Sequence, residues 1–164
     1  MKVIFLDIDG VLNYTNWYVS ERYQNMQMND DDEIEIDPEC AKRIVNICNE
    51  TGAKIVITSD WRLSWYGTIL RLCMGGIPRN YILDKTPERL WLKFSSTKDA
   101  HIDISRGAEI NDWLEANPEC TNYVIIDDRT DFKENQNNNF VHVNPMYGIT
   151  DEDMNKAIAI LNKN

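Results

Sequence analysis

The amino-acid sequence predicts an α/β domain wound around a central parallel sheet. Short apolar runs without polar interruption recur at Val3–Leu6, at 54–58 (KIVIT) and at Tyr123–Ile126, the composition of strands buried on both faces. A helix with legible ends lies between the first two runs, and strand, helix, strand at this spacing makes a right-handed βαβ unit. Acidic residues close two of the runs, Asp7 and Asp9 after the first, Asp127 and Asp128 after the third. They fall at the carboxyl ends of strands, where open α/β sheets bind their ligands.

In chain order, the first strand gives way to a stretch without clean period, Tyr14 to Asp37, which contains the acidic run Asp30, Asp31, Asp32, Glu33 and reads as a small flap at about 13–37. Asp37-Pro38 supplies an N-cap and a proline at the first helical position, and Ile44, Val45, Ile47 and Cys48 form the apolar stripe of a helix over 38–51. Gly52 suits the left-handed position that ends it. After the second strand, Trp61–Leu72 reads as a helix with Leu63, Tyr66, Ile69, Leu70 and Cys73 on one side, stopped by Gly75-Gly76-Ile77-Pro78. A short insertion follows at about 74–104, holding a strand at Tyr81–Leu83 and a loop from Ser95 to Asp99. The next helix spans 105–116, with Ser105 as N-cap and Ile110, Trp113 and Leu114 inward. A fourth strand is expected at Phe140–Val143, preceded by a short, mobile polar loop at Asn135–Asn139. Thr150 and Asp153 make a capping box for a last helix that runs to about Leu161. All of this fits one domain over 1–164.

Composition narrows the function. Lys and Arg number 17 against 27 Asp and Glu, a net charge of −10 that disfavours non-specific nucleic-acid binding. A local basic pocket is still open to Arg62, Arg71, Arg79, Arg89 and Arg106. No stretch approaches the roughly 20 apolar residues that span a bilayer, and the first residues read as a strand rather than a signal peptide, so a cytoplasmic protein is expected. Cys40, Cys48, Cys73 and Cys120 lack a CxxC pair or a neighbouring His, which predicts reduced, partly buried thiols. His101 and His142 lie outside the acid-bearing segments and read as surface or strand residues.

Asp7 and Asp9, two apart on extended backbone, face the same way and converge on one centre. Like charges that close need a cation or a shared proton, and Asp127 with Asp128 poses the same demand. Mg²⁺, a hard ion that takes carboxylate oxygens, is the natural candidate. The plain alternative is an Asp-x-Asp-Gly turn on a surface loop.

DIDGVLN at a first strand resembles the opening motif of the haloacid dehalogenase (HAD) superfamily of phosphotransferases. KIVITSDWR, SRGAEI and YVIIDDRTD follow in the order and spacing of that superfamily, so the resemblance spans Met1 to about Asp131. The TSxWR-like and RGxEI-like segments are most similar to the small HAD domains of phage-type and bacterial RNA-repair proteins. The resemblance implies a Rossmann-like three-layer α/β fold with a minimal cap. It implies that Asp7 is a nucleophile forming an aspartyl-phosphate, that Asp9 is the general acid/base, and that Gly10 lets the chain approach the phosphate. Thr58 or Ser59 supplies the second-motif hydroxyl, with Arg62 and Trp61 beside it either contacting phosphate or substrate or serving as a surface arginine and a packed tryptophan. The third-motif cation is Arg106 or Lys98. A Mg²⁺ ion takes the Asp7 carboxylate, the Asp9 carbonyl and Asp128, with Asp127 behind it; Asp131 assists or caps a turn.

A minimal cap leaves the site open, which suits nucleotides and polynucleotide 3′ or 5′ phosphate ends. A small-metabolite phosphatase or phosphotransferase is the alternative, and a non-catalytic phosphate-binding module a second one. Trp17, Tyr18 and Tyr23, with Trp61 and Trp65, either stack on a base or pack the flap onto the body.

Overall fold

The computed structural model describes residues 1–27, 35–89 and 103–163. The acidic run 30–33, the expected loop 95–99, Lys98 and His101 lie outside them. Five strands form one sheet: β1 (Lys2–Leu6), β2 (Lys54–Ile57), β3 (Ile82–Lys85), β4 (Asn122–Asp127) and β5 (Phe140–His142). Their order is β3-β2-β1-β4-β5, and every pairing is parallel. The chain therefore winds outward from β1 through β2 to β3, then returns to the other side of β1 for β4. The reversal sets the topological switch point between β1 and β4, where a crevice opens at the carboxyl ends of such strands.

Side-chain alternation divides the sheet into two apolar faces. Ile4, Leu6, Ile55, Ile57, Val124 and Ile126 meet the helices α3 (Pro38–Thr51) and α6 (Asp151–Leu161). Val3, Phe5, Val56 and Ile125 meet Ile110 and Trp113 of α5 (Arg106–Ala116), with Phe5 edge-on to Trp113. Helices cover both faces, which gives the expected three-layer α/β architecture. The ends read from sequence hold at α3, where Asp37 accepts from the Glu39 amide and Gly52 is left-handed, and at α6, where Thr150 and Asp153 form the capping box. The cysteines are free, with Cys40 and Cys48 buried. Among the described residues no helix is long and apolar enough to cross a membrane.

Two segments depart from expectation. Residues Asp60–Ser64 form a 3₁₀ turn and only Trp65–Met74 is α-helix (α4), so a stripe counted at one helical period from Trp61 loses phase. Thr68 and Leu72 face inward, while Leu63 and Tyr66 are 63% and 86% exposed. The supposed polar loop before β5 is a 3₁₀ turn, Glu134–Asn139, with Gln136 buried. Its amide donates to the Gly107 carbonyl and to Asn111 Oδ1, and its oxygen accepts from the Lys133 amide. Full satisfaction of a buried amide anchors the turn to α5.

Among the described residues of the stretch after β1, two short helices form, α1 (Thr15–Tyr18) and α2 (Glu21–Gln27). Trp17 is fully buried, its indole donating to the Glu35 carbonyl, with Arg22 over its face. It packs this segment and is out of reach of a base.

Candidate functional site

The β1 strand ends at Leu6, and the Asp7 amide donates to the Ile126 carbonyl of β4 at 3.0 Å, which fixes Asp7 at the switch point. Its carboxylate is almost fully buried. Asp9 is exposed and turned to another set of partners: Asn13 Nδ2 donates to one oxygen at 2.8 Å and Trp61 Nε1 to the other at 3.0 Å. Gly10 adopts φ +78°, and a Cβ there would lie 2.7 Å from Asp128 Cγ. The glycine thus serves the turn and the close approach of the β4 acid together.

Arg106 is the first residue of α5 and reaches across the strand ends. Nη1 lies 2.9 Å from Asp7 Oδ1 and 2.6 Å from Asp127 Oδ2. The helix comes close enough because residue 107 is glycine: a Cβ would sit 2.7 Å from Gln136 Oε1 and 2.8 Å from the Lys133 nitrogen. Asp131 caps this end, its side chain accepting from the Arg106 amide and its carbonyl from the Gly107 amide. Asp127 also accepts from the Arg129 amide, and His142 Nε2 lies 2.9 Å from the Asp128 carbonyl. Carboxylate oxygens of Asp7, Asp127 and Asp128 lie within 4.8 Å of one another. Three hard oxygen donors at this spacing suit a Mg²⁺ ion. Asp9 is absent from this carboxylate cluster.

After β2, the two candidate hydroxyls separate. Ser59 lines the cavity together with Asp7, whereas Thr58 is fully buried with Oγ1 lacking a hydrogen-bond partner among the described residues. Arg62 turns inward. Its Nη1 donates to the Thr58 and Ser59 carbonyls at 2.7 and 3.1 Å, and its Nη2 meets Glu109 Oε2 at 2.7 Å, with both residues buried. Glu109 Oε1 also accepts from the Arg89 amide. Arg106 and Glu109, three apart on one helix, thus face the Asp7 and Asp127 carboxylates and the loop after β2 respectively.

Electrostatics bear on the acids. Burial, then the neighbouring Asp7 charge, pushes the Asp127 carboxyl up to about 7, against the pull of Arg106 and the Arg129 amide. Burial raises Asp7 too, against Arg106. Burial disfavours charge on Arg106, yet Asp7 and Asp127 together lift it above the ordinary arginine value. A raised acid stabilises the fold fully below its unfolded value near 3.8 and loses that contribution as pH climbs to its folded value near 7. In chelator, the melting temperature should therefore fall between about pH 4 and 7, less steeply in Asp127→Asn, and Mg²⁺ at pH 7.5 should raise it. A thermal-shift series over pH checks this; equal slopes in wild type and Asp127→Asn would contradict it.

An open cavity of about 340 Å³ gathers Asp7, Asp9, Gly10, Ser59, Arg106 and Asp128. Tyr14, Tyr18, Asp60 and Arg129 also line it. Of the three aromatics proposed to stack from the flap, Tyr18 alone is part of this wall. Sequence reasoning missed Asn13, Trp61 as a donor to Asp9, Glu109 and Arg129. Asn13 and Arg129 stand inside or beside the acidic motifs, and Glu109 follows Arg106 at helical spacing; those were the available signals.

A family model described as the HAD domain in Swiss Army Knife RNA repair proteins matches residues 3–154. Comparison with curated proteins gives no match, and comparison with solved structures gives none either.

Proposed function

Given that the chain belongs to the family of HAD domains found in Swiss Army Knife RNA repair proteins, we propose that it is a Mg²⁺-dependent phosphomonoester hydrolase acting on phosphorylated polynucleotide ends through an aspartyl-phosphate. The observation that carries this reading is the convergence of Asp7, Asp127 and Asp128 with the Arg106 guanidinium at the β1/β4 switch point.

Asp7 attacks phosphorus in line, forming the Asp7–phosphorus bond as the bond to the leaving oxygen breaks. Asp9, in its protonated form, gives its proton to that oxygen; as a carboxylate it later takes one from the water that attacks the phosphoenzyme and releases phosphate. Asn13 and Trp61 hold Asp9 apart from Asp7, which suits a group working on the leaving-group side. Ser59 and Arg106 offer donors to the phosphoryl oxygens, and Arg106 rather than Lys98 is the third-motif cation. Ser59, rather than Thr58, is the phosphate-facing hydroxyl, since it lines the cavity. Asp7, Asp128 and the Asp9 carbonyl would hold Mg²⁺, with Asp127, both of whose oxygens accept hydrogen bonds, orienting the set. When bound, the ion offsets charge on the phosphoryl oxygens. Arg62 acts by fixing the loop after β2 instead of touching substrate.

The test is phosphate release from an aryl phosphate, from oligonucleotides phosphorylated at either end and from sugar phosphates, in Mg²⁺ and in EDTA. Turnover of the first two that disappears in EDTA and returns with Mg²⁺ is expected. Turnover persisting in chelator would remove the metal from the account, and no turnover of any substrate would favour a phosphate-binding module. Preference for sugar phosphates would replace the polynucleotide substrate.

A further inference from the structure

A second cavity, also of about 340 Å³, adjoins the first and shares Asp60, Arg106 and Arg129 with it. Its wall combines the apolar side chains of Leu63 and Ile104, both exposed, with Arg62, Glu88, Glu109 and Asp131. The three arginines that line this second cavity differ in what holds them. Arg106 contacts two carboxylates within 2.9 Å, and Arg62 lies in its buried pair with Glu109. The Arg129 side chain is 54% exposed, and among the described residues its nearest carboxylate is Asp131 at 3.5 Å, too long for a charge-assisted hydrogen bond. It is the arginine most able to turn onto a ligand without breaking a buried ion pair.

Resting on the phosphatase reading, we propose that Arg129 is a specificity-determining residue that binds the phosphodiester adjoining the scissile phosphate, so that a polynucleotide end lies across both cavities. The terminal phosphate sits among Asp7, Ser59 and Arg106. The next internucleotide phosphate meets the guanidinium at the boundary, in the forked geometry that arginine offers to phosphate oxygens. The nucleoside beyond it lies against Leu63 and Ile104. Asp60, Glu88 and Asp131 face the same region. They repel a longer run of phosphates, so recognition is limited to the last phosphodiester, in keeping with a chain of net charge −10. A mononucleotide lacks that phosphodiester and leaves Arg129 unused.

The experiment compares kcat/KM of wild type and Arg129→Ala on a short oligonucleotide with a terminal phosphate, the matching mononucleotide and an aryl phosphate. In parallel, binding of the oligonucleotide to Asp7→Asn, with and without Arg129→Ala, is followed against salt. Arg129→Ala should lower the oligonucleotide-to-mononucleotide ratio by about tenfold or more, as expected for a lost charge-assisted hydrogen bond. It should also reduce the salt slope of binding by about 0.7, the value of one single-strand phosphate contact. Arg129→Lys should keep the slope, because the charge remains. An unchanged ratio and slope would overturn the assignment, as would equal losses on all three substrates, which would move Arg129 onto the scissile group. Absence of turnover in wild type on every substrate would defeat the phosphatase reading; the salt slope would then still decide whether Arg129 meets a phosphodiester.

Discussion

Asp7→Asn should leave a folded protein whose turnover is lower by about a thousandfold or more, because a carboxamide cannot form the phosphoenzyme. The fold should tolerate the change. Asp7 is buried in a setting that disfavours its charge, and Arg106 keeps its shorter contact to Asp127 when the Asp7 charge is removed. Steady-state turnover of an aryl phosphate beside a melting curve checks both halves. Substantial turnover by well-folded Asp7→Asn would mean that water attacks phosphorus directly.

The largest loss of stability should come from Glu109→Ala. Removing this carboxylate strands the Arg62 guanidinium in the interior, and breaking a buried ion pair from one side costs about 3–5 kcal/mol. For a chain of this size that is on the order of 10 °C in melting temperature. Turnover should fall as well, since Arg62 holds the Thr58 and Ser59 carbonyls at the base of the hydroxyl loop. The double variant Arg62→Met, Glu109→Leu removes both charges and should recover much of the stability without recovering the rate. Stability in Glu109→Ala equal to that of wild type would show that the pair carries no structural weight.

The strands and the long helices were legible because their signals are local: unbroken apolar runs for β1, β2 and β4, and caps at Asp37, Ser105 and Thr150. The acids at the strand ends were legible for the same reason. Three features escaped a linear reading. The 3₁₀ turn at Asp60–Ser64 shifted the phase of α4, and a period counted across such a turn points the wrong side chains inward. The turn at Glu134–Asn139 looks like a solvated loop because its order rests on one buried amide, Gln136, bonded to a helix about 30 residues away in sequence. Arg62 and Glu109 lie far apart in the chain, so their pairing, and with it the inward turn of an arginine expected at the phosphate, depends on how the loop after β2 meets α5. Gly107 shows the same dependence, since its missing side chain has meaning only against Gln136 and Lys133.

Covalent chemistry at Asp7 is the centre of the account, and trapping the phosphoenzyme tests it most directly. Wild type mixed with an aryl phosphate and Mg²⁺, quenched in acid within a turnover and analysed by peptide mass spectrometry, should carry one phosphoryl group on the Asp7 peptide, and Asp7→Asn should carry none. A wild-type protein that turns over freely yet shows no phosphoryl adduct when the quench is faster than turnover, or shows it on another residue, would contradict the assignment of Asp7 as nucleophile.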